Sequence, residues 1–133
     1  MIAIAILGCG VHARAWSSQV AAKVALSVEG MQIRYVGEEA RIALKYKYVD
    51  ESPGQLFVVK YPKVVKGETV AVAITKNGVQ CRVWPGLEEA ETEVCVGGVW
   101  TKYIGRNDAW DIKHGPAGYS TYLGRIYLVT VEE

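Results

Sequence analysis

Most of the residue patterns that reveal a protein's chemistry are missing from this chain. Cysteine is scarce: Cys9, Cys81 and Cys95 stand without a CxxC or Cys/His spacing, which excludes a zinc ribbon and a disulfide-dense scaffold. No metal site is expected. His12 and His114 are the only conventional bases. No apolar run approaches the roughly 20 residues of a membrane-spanning helix. Charge of one sign never gathers: 15 Lys and Arg against 14 Asp and Glu are interleaved, for a net charge of +1. Without a phosphate-neutralising block, nucleic acid is not an expected partner. Neither an internal repeat nor a low-complexity stretch stands out. Amides are few (Asn77, Asn107, Gln19, Gln32, Gln55 and Gln80), and beside many Val and Tyr this has a thermophile flavour. Ala13-Arg14-Ala15 has the small-x-small form of a signal cleavage site, but no basic segment precedes Ile2, so a cleaved signal is not expected.

What is present is ordinary globular material, half apolar and 22% charged, over 133 residues. That length is enough for one domain with a core needing neither metal nor disulfide. The expectation is a single domain, 1–133, with an apolar strand and helix over 1–30 and a β-rich body over 31–133.

Ile2, Ile4 and Ile6 alternate with Ala3 and Ala5, a strand with one bulky and one small face. From about Val11 to Val28, Trp16, Val20, Val24 and Val28 recur every four residues, with Ala15, Ala22 and Leu26 widening the stripe, opposite Gln19, Lys23 and Ser27. This predicts an amphipathic helix with the valines inward and Gly30 as its stop. No other segment reads as a helix. Period-two patterning follows: Met31–Val36, Ala40–Val49 and Gln55–Tyr61 read as strands. Asn77-Gly78 suits a type I′ turn and predicts a hairpin over Thr69–Trp84, pairing Ile74 with Cys81, Val72 with Val83 and Lys76 with Val79. Glu88, Glu89, Glu91 and Glu93 read as an acidic loop, Val94–Ile104 as a strand bent at Gly97-Gly98, Asn107–Gly118 as a loop. Thr121–Val131, apolar on both faces, reads as a central strand. The fold class expected is mainly β, a β-sandwich or jelly roll with one N-terminal amphipathic helix.

Gly8-Cys9-Gly10-Val11-His12-Ala13 fits G-x-G-x-x-G/A between a strand and a predicted helix. Over about fifteen residues the segment resembles the opening of the glucose–fructose oxidoreductase-like dehydrogenases. That resemblance implies a dinucleotide at Gly8, Gly10 and Ala13, with Glu38 after the second strand placed to hold a ribose. The hairpins downstream favour a packing role for these glycines, and no cofactor is expected. Asp108, Asp111 and His114 form a possible carboxylate–imidazole group, but no nucleophile accompanies them, and no catalytic residue is assigned. Cys81 and Cys95 would face each other if a second hairpin joined them; two free buried thiols are favoured over a disulfide.

Four Trp and eight Tyr are many for this size. They serve either sheet packing or the centre of a protein interface. The reading that follows is a non-enzymatic structural subunit, a virion coat or accessory protein or an extracellular filament subunit. It would associate as a homo-oligomer or with other structural subunits through Ile2, Ile4, Ile6, Tyr46, Tyr48, Trp100 and Tyr103, the apolar arm adding a strand to a neighbouring sheet. The alternative is a small nucleotide- or dinucleotide-binding protein.

Overall fold

A computed structural model describes residues 1–8, 10–38, 41–47, 51–62, 65–75, 80–116 and 119–132. The chain is mainly β and divides into two compact units, Met1–Glu68 with Thr130–Glu133, and Thr69–Val129. The division falls at Glu68/Thr69. The first unit holds β1 (Ile2–Leu7), β2 (His12–Trp16), α1 (Gln19–Val28), β3 (Met31–Glu38), β4 (Arg41–Tyr46) and β5 (Gly54–Val59). The second holds β6 (Thr69–Thr75), β7 (Gln80–Trp84), α2 (Leu87–Val94), β8 (Val99–Tyr103) and β9 (Ala109–His114). The last strand, β10 (Thr121–Glu132), begins in the second unit and ends in the first.

In the first unit the strands lie in the order β3-β4-β5-β1-β2. The end of β10 runs parallel to β2, pairing Val131 with Ala15 and making the strand set mixed. In the second unit the order is β8-β9-β10-β6-β7. Each unit is therefore a hairpin, a helical crossover and a three-strand meander whose last strand returns beside the first. The Greek-key connections of a jelly roll are absent from both described units.

The two topologies are the same, and the residues match as well. Ala3 pairs with Trp16 and Ala5 with Arg14; 68 residues later, Ala71 pairs with Trp84 and Ala73 with Arg82. Ile33 opposite Leu44 corresponds to Thr101 opposite Ile112. Ala22 in α1 and Ala90 in α2 are both fully buried, and Gly30 and Gly98 both take positive φ, +87° and +88°. After a loop two residues longer, β10 repeats β5: GQLFVV from Gly54 answers GRIYLV from Gly124. The expectation of no internal repeat is thus corrected. Residue-type matches are scattered among conservative changes such as Ile2/Val70 and Ile4/Val72, so no short motif recurs.

The Ala face of the first strand decides how each helix packs. Ala3 and Ala5 share a core with Trp16, Ala22 and Leu26, while Ala71 and Ala73 share one with Trp84 and Ala90. Small side chains on both surfaces let helix and sheet approach closely. This corrects part of the predicted face of α1: Ala22 and Leu26 point inward as expected, with Ala21 and Ala25 packed beside them, but the valines point out. The helix is also shorter than predicted. Ser18 is its N-cap, its Oγ accepting from the Ala21 N–H at 3.1 Å, so residues 12–16 are released to form β2.

The acidic loop is corrected too: it is α2. Leu87, Ala90 and Val94 fall on one helical face and pack on the second core, and Glu88 and Glu89 sit in the first turn, where the helix dipole favours negative charge. Asn107–Gly118 contains β9. The Thr69–Trp84 hairpin forms with the expected pairs Ile74–Cys81 and Val72–Val83; Lys76, Asn77, Gly78 and Val79 lie outside the described residues.

Candidate functional site

Leu7 pairs with His12 to close the β1–β2 hairpin, so Gly8, Gly10 and Val11 fall in its turn, and the chain runs on into β2 and not into a helix. Gly8 and Gly10 take φ of +61° and +84°, the backbone reason for glycine here. The Gly8 N–H donates to the Pro53 carbonyl at 3.0 Å and the Val11 N–H to the Leu7 carbonyl at 3.0 Å. A pyrophosphate cradle needs a helix N-terminus behind its glycines. None stands there, and Ala13 lies in a strand. The dinucleotide alternative therefore loses its structural context.

The apolar arm is not an arm. β1 is hydrogen-bonded on one side to β2 and on the other to β5, both of its own chain. Ile2, Ile4 and Ile6 are buried within the chain, so as interface candidates they are corrected. Tyr46 and Tyr103 do remain exposed. Trp100 is partly buried, its Nε1 donating to the Gly115 carbonyl at 2.7 Å, with Lys113 over its ring. Tyr48 and Cys9 lie outside the described residues.

Asp108, Asp111 and His114 do not converge. Asp111 pairs with Arg125 at 3.0 Å, and His114 Nε2 lies 3.1 Å from the Gly97 carbonyl. Among the described residues no cluster of three His, Cys, Asp or Glu is arranged to hold a metal ion. No helix among the described residues is long and apolar enough to cross a membrane.

Cys81 and Cys95 are free thiols, the first partly buried and the second exposed. Burial pushes the Cys81 thiol from about 9.0 up to about 12. The raised folded value means this group supports stability below pH 9 and loses that support as pH climbs from about 9 to about 12. We expect iodoacetamide at pH 8 to modify Cys95 and spare Cys81 in the native protein, read by peptide mass spectrometry. Equal labelling at both would contradict the burial.

Sequence patterning missed the feature that distinguishes the surface. Val20, Val24 and Val28 project from the outer face of α1, 70%, 61% and 83% exposed. Isolated exposed valines are ordinary, but three in line along one helix form a continuous apolar ridge. The corresponding positions of α2 are Glu88, Thr92 and Val96, so the fold itself does not require valine at the first two. The ridge is held rigidly. Arg14 on β2 reaches Glu29 at the end of α1 at 2.7 Å and Glu132 on β10 at 2.8 Å. The Glu132 hydrogen bond, then Glu29, raises the Arg14 pKa further. Lys47 donates to the Ser27 carbonyl at 3.3 Å, which also accepts from the Gly30 N–H at 3.1 Å in the closing turn of the helix. Lys23 is the only charged side chain within α1. Chemically this face offers apolar contact and no reacting group. Comparison with known proteins adds no relative: no family model, no curated protein and no solved structure matches the chain.

Proposed function

We propose that this protein is a non-enzymatic structural subunit that works by association, and that the outer face of α1 is its binding surface. The observation that carries the reading is the Val20–Val24–Val28 ridge. Solvent gains nothing from it, and β-branched residues are weaker helix formers than the Glu that α2 carries at the first of these positions. A helix that keeps such a stripe outward is matched to an apolar partner. The site has moved from the N-terminal strand, which its own sheet occupies, to the helix that follows. A virion or an extracellular filament is the setting proposed for such a subunit.

The test transfers the second unit's own residues to the first. In Val20→Glu/Val24→Thr, both positions receive the residue types that α2 already carries on the same face, so the helix should fold unchanged by circular dichroism. Light scattering on a size-exclusion column should show the wild-type mass rising with concentration, while the variant stays monomeric. A wild type that remains monomeric at the highest attainable concentration sinks the reading.

A further inference from the structure

We infer that the occupant of the α1 ridge is the α1 ridge of a second copy of this chain, packed antiparallel about a two-fold axis at Val24. The inference rests on the association reading above and adds the partner and its symmetry. Three observations carry it.

The first is the spacing. Val20 and Val28 lie four residues on either side of Val24, and Ala21 and Ser27 lie three on either side. Turning the helix end for end about Val24 superposes valine on valine and small residue on small residue. Val20 then meets the partner's Val28, and Val24 meets its own counterpart. Such a self-matching patch is what an isologous interface requires. The antiparallel sense also sets the two helix dipoles head to tail.

The second is charge. The valines carry none; Lys23, the one charge of α1, lies about 100° around the helix from the centre of the stripe, and the Lys47 ammonium sits at its edge in an exposed contact with Ser27 Oγ at 3.3 Å. A charged partner would find nothing on the valines to pair with, whereas an identical apolar ridge leaves no charge buried. At the matching positions of the second unit, Glu88 in α2 would be set against the apolar Val96 just beyond it in the same arrangement, leaving a carboxylate without a partner.

The third is area. Six valines at these exposures would cover on the order of 600 Å² in total, and Ser27 with the Lys23 and Lys47 stems at the edge bring the contact toward roughly 1,000 Å², the lower bound for a specific interface. The expected assembly is a weak, reversible dimer that closes on itself and does not propagate through this face.

Cysteine cross-linking of the full chain tests this. The background is Cys9→Ser/Cys95→Ser, which removes the exposed thiol among the described residues and the one cysteine outside them. Under mild oxidation Val24→Cys should give covalent dimer at least tenfold more readily than Glu88→Cys, an exposed position on α2. A mixture of Val20→Cys and Val28→Cys chains should cross-link to each other, and each alone should do so poorly. Cross-linking of Val20→Cys with itself in preference to Val28→Cys would overturn the antiparallel register. If Val24→Cys fails to cross-link while Val20→Glu/Val24→Thr still abolishes association, the two-fold pairing is wrong and α1 binds some other surface. If that double variant associates like wild type, the ridge is not the binding face and both readings fall.

Discussion

Replacing Gly124 with alanine should lower the melting temperature by on the order of 10 °C or more, and Gly54→Ala should do the same. At Gly124 a Cβ would fall onto the Ile74 carbonyl oxygen, 2.8 Å from the Thr75 Cα. At Gly54 it would fall onto the Ile6 carbonyl oxygen, 2.9 Å from the Ile6 carbonyl carbon. Both obstacles are backbone of a neighbouring strand, so the clash cannot be relieved by turning a side chain. Relief means pulling β10 from β6, or β5 from β1, which breaks the ladder at the centre of each unit's sheet. Overpacking of this kind costs about 3 kcal/mol or more, set against a total stability of roughly 5–15 kcal/mol. Gly10→Ala is the control. Its φ of +84° also suits glycine, but nothing stands within 4 Å of the added carbon, so only about 1 kcal/mol is expected. Thermal melts followed by circular dichroism separate the cases. A shift at Gly124 no larger than at Gly10 would show that the strands can part without cost.

The second large effect concerns a tryptophan that each unit places at the same point. Trp84 Nε1 donates to Glu93 Oε2 at 2.6 Å, and Arg82 reaches the same oxygen at 2.6 Å while stacking over the indole. Arg14 stacks over Trp16 in the same way, at 4.9 Å. The residue of α1 that corresponds to Glu93 is Ala25, however, and the buried Trp16 Nε1 has no acceptor among the described residues. An unsatisfied buried donor costs about 1–3 kcal/mol. Glu93→Ala should therefore destabilise the protein by about 2 kcal/mol, since it creates in the second unit the defect the first already carries. Ala25→Glu should do the reverse, adding about 1 kcal/mol after the small loss in helix propensity. Urea denaturation gives both values. If Ala25→Glu destabilises, the carboxylate does not reach the indole, and the equivalence of the two units stops short of their side chains.

That equivalence was in the sequence from the start, at a separation of 68 residues, and it escaped pattern reading for a physical reason. A β-unit of this kind constrains burial and not identity: Ile2 and Val70, Ile4 and Val72, Phe57 and Tyr127 fill like positions with different side chains. The strongest anchors, Ala3/Ala71, Arg14/Arg82, Trp16/Trp84, Ala22/Ala90 and Gly30/Gly98, are too dispersed to look like a motif. α2 hid for a related reason. Its Leu87, Ala90 and Val94 have helical spacing, but eight residues with four glutamates read as a solvated loop. The face of α1 was misread in part, because hydrophobicity alone ranks valine above alanine.

Several features were determined by the sequence alone. The period-two alternation specified a mainly β chain, the Thr69–Trp84 pattern specified a hairpin and its register, and the two-sided apolar run after Thr121 specified a central strand. In each case the information is local, because a strand's side-chain period and a turn's φ requirements are properties of adjacent residues. Tertiary structure decided the rest. Pairing on both edges turned the N-terminal strand from an available arm into the middle of a sheet, and made the glycines beyond it a hairpin turn. Close approach of alanine to alanine chose which side of α1 faces inward. That choice, made by the sheet and not by the helix, leaves the three valines facing solvent.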